Sequence, residues 1–206
     1  MKLYYSPGAC SLSPHIVAVE AGIPLDLEKV DLKTHKTESG EDFYAVNPKG
    51  YVPALRLDDG SVLTEGPVIV QYLADKKAET KLAPPNGTLE RYHLMEWLTF
   101  INSEIHKSFA PLFGNGSDDA KADAKEKIGK RFEYVDKQLS GKQFIMGDDF
   151  TVADAYFFVM LTWAHHMKID LKNYPNVRGF FDRVSKRPGV HQAMKDEGLF
   201  DKKTAA

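Results

Sequence analysis

The sequence predicts an α/β plus all-α protein, in which a domain of mixed strands and helices precedes a domain built of helices alone. Over roughly the first 75 residues, short β-like runs alternate with helical runs, whereas beyond about residue 88 the apolar residues recur only at helical spacing. Asp59-Gly60 joins two β-like runs in the first part, which is a strong hairpin signal because glycine readily adopts positive φ. A change of periodicity along the chain and one turn therefore define the fold class.

The elements of the N-terminal part are predicted in the order βαβαββα. The segment KLYY begins as a strand, a helical run follows between Ser11 and Ala21, and LDLEKVDL gives a second strand. After a short helix around residues 43–46, VPALRLDDGSVLT supplies the two hairpin strands, and a last helix follows. A βαβ unit followed by a ββα unit implies a mixed sheet with one antiparallel pair, flanked by helices, which is a thioredoxin-like arrangement.

The C-terminal part contains two apolar stripes at three- and four-residue spacing, which we interpret as helical core rather than as a cofactor site. Their members are Leu94, Trp97, Leu98, Ile101 and Ile105 in one helix, and Ile128, Phe132, Val135 and Leu139 in the other. In FTVADAYFF, Thr151 and Asp154 have the spacing of a capping box, which is a folding signal at a helix start. We place the domains at residues 1–80 and 88–206, joined by a charged, proline-rich linker at 81–87.

Composition and charge limit the possible functions. Lys and Arg number 27 against 29 Asp and Glu, with no long block of like charge, so nucleic acid is not expected as a partner. No signal-peptide-like stretch opens the sequence, and the most apolar run, AYFFVMLTWA, is too short to span a bilayer, so no membrane association is expected. The one cysteine, Cys10, cannot form an intramolecular disulfide, and we therefore expect a reducing compartment, the cytoplasm.

Cys10 lies between a Pro7-Gly8 turn and the predicted helix start. Backbone N–H groups and the positive end of the helix dipole favour a thiolate at such a position. The alternative is a small buried hydrophobic residue, since cysteines outside disulfides are among the most buried residues. The position in a strand-to-helix loop favours function, because α/β sheets bind ligands at the carboxyl ends of their strands.

Two other segments of the N-terminal part are candidates for binding a ligand through the backbone. Pro53 follows Val52 at the start of a β run, where an ordinary trans bond is favoured; a cis bond would turn the Val52 main chain outward to pair with an extended peptide. Glu65 and Gly66 precede an apolar helix, where N–H groups can hold a carboxylate while Glu65 pairs with an ammonium group. The simpler interpretation of Glu65 is an acidic residue favoured by the helix dipole.

In the helical part, four polar residues share one helix face: Thr99, Asn102, Ser103 and His106. Such a stripe is usually a solvated face, and a single histidine does not define a catalytic site. The remaining histidines lack the spacing and companion ligands of a metal site, so no metal is expected.

Taken together, several segments resemble a bacterial glutathione S-transferase of the beta class, along nearly the whole chain. They are KLYYSPGACSLSPHI, NPKGYVPAL, LTEG, QYLAD, ERYH, EWL, IHKSFAPLF and FTVADAYFF. The resemblance implies a homodimer, with glutathione sites between the thioredoxin-like domain and a helical domain that carries the electrophile-binding side. It also implies an enzyme that conjugates the thiolate of its co-substrate glutathione to small hydrophobic electrophiles in detoxification.

The resemblance assigns roles to five residues of the N-terminal domain. Cys10, one of two catalytic residues, would lie beside the glutathione sulfur, where this class can form a mixed disulfide. Val52, ahead of a family cis-proline at Pro53, would pair its backbone with the cysteinyl part of glutathione. Glu65 would take the γ-glutamyl ammonium group, and the amide of Gly66 would take the γ-glutamyl carboxylate.

The resemblance also implies that residues of the helical domain approach glutathione: Ser103, Lys107 and the second catalytic residue, His106. Two positions depart from the class. Position 35, often a lysine that contacts the glycyl end of glutathione, is His35, which carries less positive charge at neutral pH. Position 99, where relatives can supply an asparagine, is Thr99.

Two alternative functions stay open on the sequence. In the first, Cys10 itself attacks glutathionylated or oxidised substrates, as in a glutathione-dependent thiol-disulfide reductase, or supports glutathione-dependent dehalogenation. In the second, the chain is a non-catalytic binder with the same fold. The presence of Cys10, Val52-Pro53 and Glu65-Gly66 argues against the second alternative.

Overall fold

A computed structural model describes residues 1–114 and 116–200, which form two compact units. One unit contains Met1–Ala83 together with the segment that begins at Lys186, and the other contains Pro84–Ser185. The N-terminal segment of the first unit thus ends within the predicted linker. The helical domain predicted at 88–206 differs from the second unit, because its last part packs with the N-terminal residues; the end of that range lies outside the described residues.

The first unit is built on a five-stranded mixed sheet with the strand order β3-β2-β1-β4-β5. The strands are β1 (Lys2–Tyr5), β2 (Asp26–Asp31), β3 (Lys36–Thr37), β4 (Ala54–Arg56) and β5 (Val62–Thr64). Strands β1 and β2 are parallel, and the other neighbouring pairs are antiparallel. The expectation of a single antiparallel pair was wrong. Strand β4 is antiparallel to both β1 and β5, and β3 is antiparallel to β2. The two-residue β3 is too short to produce a periodic signal.

Helices cover this sheet, as the alternating pattern predicts. They are α1 (Leu12–Glu20), α2 (Phe43–Val46) and α3 (Gly66–Lys76), and α9 (Pro188–Asp196) packs against α1. The C-terminal segment is held on α1 by a bidentate ion pair, in which the Arg187 guanidinium donates to both carboxylate oxygens of Glu20 at 3.0 and 2.6 Å.

The buried carboxyl of Glu197 also ties the C-terminal segment to the loop after β1. Gly8 N donates to Glu197 Oε2 at 2.9 Å, and Nδ1 of the buried His15 lies 3.0 Å from Glu197 Oε1. Burial raises the pKa of Glu197 above its usual range. The loop that carries Cys10 is therefore fixed from its Gly8 end by a residue almost 190 positions away in sequence.

The second unit is helical throughout its regular structure, as predicted. Its elements are α4 (Leu89–Phe100), a π-helical turn (Ile101–Ile105), a 3₁₀ turn (His106–Phe109), α5 (Ala110–Phe113), α6 (Asp118–Gln138), α7 (Val152–His166) and α8 (Pro175–Val184). Both apolar stripes are buried, except that Trp97 is half-buried. The apolar run in α7 is a core helix, and across the described ranges no helix combines the length and apolar character needed to cross a bilayer.

The capping box at the start of α7 forms as predicted. Asp154 is fully buried, and its Oδ2 accepts from Thr151 N at 2.7 Å and from Thr151 Oγ1 at 2.8 Å. Its Oδ1 accepts from Ile145 N at 2.7 Å. Burial raises the pKa of Asp154 to about 6 in spite of these hydrogen bonds. The residue therefore joins the loop before α7 to the helix itself.

Candidate active site

Cys10 lies in the loop between β1 and α1, two residues before the first helical residue, Leu12. Its carbonyl accepts from Ser13 N at 3.1 Å and from Ser13 Oγ at 2.8 Å, which joins the loop to the first turn of α1. Its thiol donates to the carbonyl oxygen of Val52 at 3.3 Å. The side chain is half-buried, so the alternative of a fully buried hydrophobic residue does not hold.

The peptide bond between Val52 and Pro53 is cis. The residue pattern favoured a trans bond, and that expectation is wrong. The resemblance implied a cis bond before Pro53, and this expectation is confirmed. Val52 is buried, and its carbonyl oxygen accepts the hydrogen bond from the Cys10 thiol. A main-chain segment suited to strand-like pairing and the only cysteine thiol thus lie in contact.

The strand register brings the Glu65-Gly66 segment to the same place. Ala54 pairs with Thr64 across the antiparallel β4–β5 pair, so the residues just before Ala54 and just after Thr64 lie side by side. A Cβ placed on Gly66 would lie 3.9 Å from Cγ of Pro53. One end of the sheet therefore holds three predicted features: the thiol, the cis-proline segment and the start of α3.

Glu65 is the N-cap of α3 and has a φ of 70°. Residues other than glycine rarely adopt this backbone conformation, and those that do are concentrated at functional sites. Lys49 Nζ and Tyr51 Oη both donate to Glu65 Oε1, Tyr51 at 3.2 Å, and Lys49 also donates to Thr64 Oγ1 at 3.0 Å. The hydrogen bond to Glu65 raises the pKa of Lys49. An exposed carboxylate that already holds one ammonium group stands beside the first N–H of a helix, a combination suited to a zwitterion.

His35 is positioned differently from the other candidates of this unit. It lies between β2 and β3 with a φ of 52°, and its carbonyl accepts from Phe43 N at 2.8 Å. Its ring packs on Tyr44 at 4.6 Å between centroids, and Nδ1 is buried without a hydrogen-bond partner among the described residues. The residue belongs to the carboxyl end of β2, next to the end of β1 that carries Cys10.

In the second unit, two of the predicted hydroxyl groups bond to their own helix. Thr99 Oγ1 donates to Met95 O at 2.7 Å, and Ser103 Oγ donates to Thr99 O at 2.9 Å. Both side chains are exposed, as is Lys107. Because each hydroxyl already donates its only proton, it meets a ligand as a hydrogen-bond acceptor.

His106 is half-buried at the end of a π-helical turn, which sequence periodicity did not predict. Its Nδ1 lies 2.6 Å from Tyr156 Oη, and its ring packs edge-to-face on Trp163 at 4.8 Å. Burial, with a smaller contribution from the Lys107 charge, lowers the pKa of His106 to about 4. His106 is therefore a neutral imidazole at neutral pH.

Metal chemistry has no visible site in these units. Across residues 1–114 and 116–200, no group of three or more His, Cys, Asp and Glu side chains is arranged to hold a metal ion.

Two family profiles match the chain. The profile of the glutathione S-transferase N-terminal domain matches residues 8–76, and that of the C-terminal domain matches residues 92–188. The chain belongs to the glutathione S-transferase family.

Glutathione S-transferases of known sequence and structure match it almost end to end. Glutathione S-transferase GstA of Escherichia coli O157:H7 is 44% identical over 200 residues, covering 97% of this chain and all of the relative. A sphingomonad glutathione S-transferase complexed with glutathione is 48% identical, with a TM-score of 0.93, and covers 97% of this chain and 100% of its own. The bacterial beta class enzyme of Sphingomonas chungbukensis is 50% identical, with a TM-score of 0.94 and the same coverage.

Two polar groups of this glutathione S-transferase were missed by sequence reasoning. Tyr156 lies in the apolar run read only as core, although a buried tyrosine needs a partner for its hydroxyl, and that rule was the available signal. Its hydroxyl donates to Asn102 Oδ1 at 3.0 Å. Lys49, which pairs with Glu65, had no signal in the local pattern, because the two residues meet only through the β4–β5 register.

Proposed function

We infer that this protein is a glutathione transferase, and we propose that it conjugates the thiolate of glutathione to small hydrophobic electrophiles. The observation that carries the proposal is the 3.3 Å contact between Cys10 Sγ and the carbonyl oxygen of Val52, next to the cis-proline. A tripeptide whose cysteinyl part pairs with the Val52 main chain has its sulfur close to Cys10. We identify this tripeptide as glutathione because the chain belongs to the glutathione S-transferase family.

The γ-glutamyl end of glutathione is an amino acid zwitterion, and we assign it to the start of α3. Glu65 takes the ammonium group, in the manner in which it already accepts from Lys49, and Gly66 N–H takes the carboxylate. We assign the glycyl end to His35, which follows the carboxyl end of β2, next to the end of β1 that carries Cys10.

In this proposal the start of α1 in the first unit and residues of the helical unit together activate the sulfur. A glutathione thiol is mostly protonated at neutral pH, and conjugation needs the thiolate. The start of α1 stabilises the anion, and the exposed Lys107 adds positive charge. His106, with a pKa of about 4, is a neutral imidazole at neutral pH, so it adds no fixed positive charge and acts as a hydrogen-bonding group. Ser103 and Thr99 serve as acceptors.

Replacing Glu65 by glutamine tests the assignment of the zwitterion. Loss of the charged acceptor is expected to raise the dissociation constant of glutathione about 10-fold, which is about 1.4 kcal/mol. Isothermal titration calorimetry measures the change, and Glu79→Gln, at an exposed acid of the same unit, is the control. Equal affinities of Glu65→Gln and wild type would contradict the assignment. A wild-type chain that does not bind glutathione would favour the non-catalytic binder.

Beta class membership, a detoxifying role, a cytoplasmic location and a homodimer are further parts of the proposal. Large apolar side chains are exposed in each unit: Val68 is 47% exposed on α3, and Leu89 and Tyr92 are 66% and 61% exposed around the start of α4. Burial of such side chains between two copies of the chain would be favourable, so we propose them as candidates for the interface of the homodimer.

The dimer proposal predicts the mass in solution. At micromolar concentration, sedimentation velocity is expected to give twice the chain mass of 23.1 kDa, and Tyr92→Glu, which puts a charge on the exposed face of α4, is expected to shift the protein towards the monomer. Tyr134→Phe, which adds no charge, is the control. A wild-type monomer at these concentrations would refute the proposal.

The contact between Cys10 and Val52 also favours a second candidate function, thiol-disulfide exchange. A glutathione sulfur that lies next to the Cys10 thiol is placed for a mixed disulfide as well as for conjugation. Glutathione-dependent dehalogenation uses the same geometry.

A further inference from the structure

The carboxylate of Glu65 accepts hydrogen bonds from side chains of a neighbouring turn. Lys49 Nζ and Tyr51 Oη both donate to Glu65 Oε1, and Lys49 Nζ also donates to Thr64 Oγ1 at 3.0 Å. The Lys49 ammonium group lies 5.9 Å from the centre of the Tyr51 ring. All of these residues belong to the first unit. The protein by itself therefore holds a cation at the carboxylate to which we assign the γ-glutamyl ammonium group.

The turn that carries Lys49 is fixed by Asn47, a buried residue with 1% of its surface exposed. Asn47 Oδ1 accepts from Lys49 N at 3.2 Å, and Asn47 Nδ2 donates to Tyr51 O at 2.7 Å. Gly50 has a φ of 72°, and a Cβ at this position would lie 2.5 Å from the Tyr44 ring, so the turn needs glycine there. The backbone that carries Lys49 and Tyr51 is thus held in place, and both side chains are presented to one carboxylate.

An ammonium group of a ligand meets Lys49 when it approaches Glu65. Two cations on one carboxylate would lie within a few ångströms of each other and repel, so the second binds at the expense of the first. The pair of Lys49 and Glu65 is half-exposed, with 44% of each side chain accessible, and ion pairs at such positions are weak enough to exchange. The hydrogen bond to Glu65 raises the pKa of Lys49, which therefore competes as a full cation at neutral pH.

We propose that Lys49 is an internal competitor that fills the ammonium subsite at Glu65 in the free protein and leaves it when the γ-glutamyl end of glutathione binds. This inference rests on the proposed function. Binding then exchanges one ion pair of Glu65 for another. The affinity for glutathione is therefore lower than the new ion pair alone would provide, and Lys49 sets the difference.

Removal of the competitor is expected to tighten glutathione binding. Lys49→Met is expected to lower the dissociation constant of glutathione about threefold in isothermal titration calorimetry, and Lys49→Gln, which keeps a polar end, is expected to give the same change. Lys77→Met removes an exposed ammonium group that pairs with Glu79 and is the control, with no change expected. An unchanged or higher dissociation constant in the Lys49 variants would overturn the proposal.

A double variant and a second ligand show whether Lys49 acts through Glu65. Glu65→Gln leaves Lys49 without a charged acceptor, so the addition of Lys49→Met to Glu65→Gln is expected to leave the dissociation constant of glutathione unchanged. The tripeptide in which glutaryl replaces γ-glutamyl lacks only the ammonium group, and Lys49→Met is expected not to tighten its binding. A gain in affinity that persists in Glu65→Gln, or that extends to the glutaryl tripeptide, would overturn the proposal.

The position of Lys49 can be observed with and without a ligand. In protein labelled with ¹³C-lysine, the two Hε protons of a lysine give separate ¹H–¹³C signals when its ammonium group is held in one place, and the Lys49→Met spectrum identifies those of Lys49. We expect separate signals in the free wild type that merge in Glu65→Gln and that change when S-methylglutathione, which has no thiol, saturates the protein. Signals that are merged in the free wild type, or that stay the same at saturation, would overturn the proposal.

These readouts separate the failure of the inference from the failure of the proposed function. A wild-type chain that binds neither glutathione nor S-methylglutathione would refute the proposed function and this inference with it, whereas the Hε signals would still report on the ion pair of the free protein. A wild type that binds glutathione, with Lys49 variants that bind it no more tightly, would refute the competing role of Lys49 alone.

Discussion

Replacing Asp154 by alanine is expected to destabilise the protein by about 3 kcal/mol, the largest loss that we expect from a single polar substitution. The carboxylate is fully buried and accepts from Ile145 N, Thr151 N and Thr151 Oγ1. The substitution leaves two backbone N–H groups without an acceptor in the interior, at about 1–3 kcal/mol for each buried group left unsatisfied. The loss of the helix cap adds about 1 kcal/mol, and partial access of water to the loop reduces the sum.

Urea unfolding measures this loss, and thermal unfolding is expected to show a midpoint lowered by about 10 °C, since 1 kcal/mol corresponds to about 2–4 °C in a chain of this size. Asp149→Ala removes an exposed carboxylate five positions earlier and is the matched control, with an expected change below about 0.5 kcal/mol. Similar midpoints for the two variants would show that the capping box does not stabilise α7. The activity of the folded fraction is expected to be unchanged, because the capping box is structural.

The fold was largely predictable because its main signals are local. Asp59-Gly60, the spacing of the apolar stripes and the Thr151-to-Asp154 capping box each lie within one segment, and each predicted its element, although the first stripe continues from α4 into the π-helical turn. The sheet edge was not predictable in this way, since β3 has only two residues and is defined by its pairing with β2. The attachment of α9 to the first unit was missed for the same reason: the Arg187 to Glu20 ion pair joins residues 167 positions apart.

The residues of the candidate site were predictable from local signals, whereas their arrangement in space was not. Cys10, Val52-Pro53 and Glu65-Gly66 were recognisable because each has a distinctive residue type next to a turn or a helix start. Their proximity depends on the pairing of β4 with β1 and with β5, which no single segment specifies. The residue pattern by itself favoured the wrong isomer of the Val52-Pro53 bond.

In the helical unit, the polar stripe was predicted with regular helical spacing. The structure instead has a π-helical turn, and the partner of the stripe, Tyr156, belongs to another helix. The low pKa of His106 also depends on burial, which the sequence of that helix does not reveal. Tertiary packing, rather than residue identity, therefore decides whether this histidine is a cation or a neutral imidazole at neutral pH.

Replacing Cys10 by serine is expected to separate the two candidate reactions. In disulfide reduction the Cys10 thiolate attacks the glutathionyl sulfur of a mixed disulfide, forms a bond to it and releases the other thiol; a second glutathione thiolate then attacks that bond, forms oxidised glutathione and regenerates Cys10. A serine hydroxyl cannot perform the first step at neutral pH, so reductase activity is expected to fall by about 10³-fold or more. Conjugation of a chlorinated aromatic needs the glutathione sulfur itself and is expected to fall less than about 10-fold.

The covalent intermediate gives a direct measurement beside the two rates. Because the chain has one cysteine, a mass increase of one glutathionyl group after exposure to oxidised glutathione identifies Cys10 as the attacked residue. The adduct is expected in wild type and in Ser13→Ala, which alters only a side-chain hydrogen bond to the Cys10 carbonyl, and is expected to be absent from Cys10→Ser. Conjugation that collapses together with disulfide reduction in Cys10→Ser would mean that the thiol is needed to activate glutathione. Reductase activity that survives the substitution would instead leave the contact between Cys10 and Val52 with a binding role alone, because no other thiol in the chain can carry the exchange.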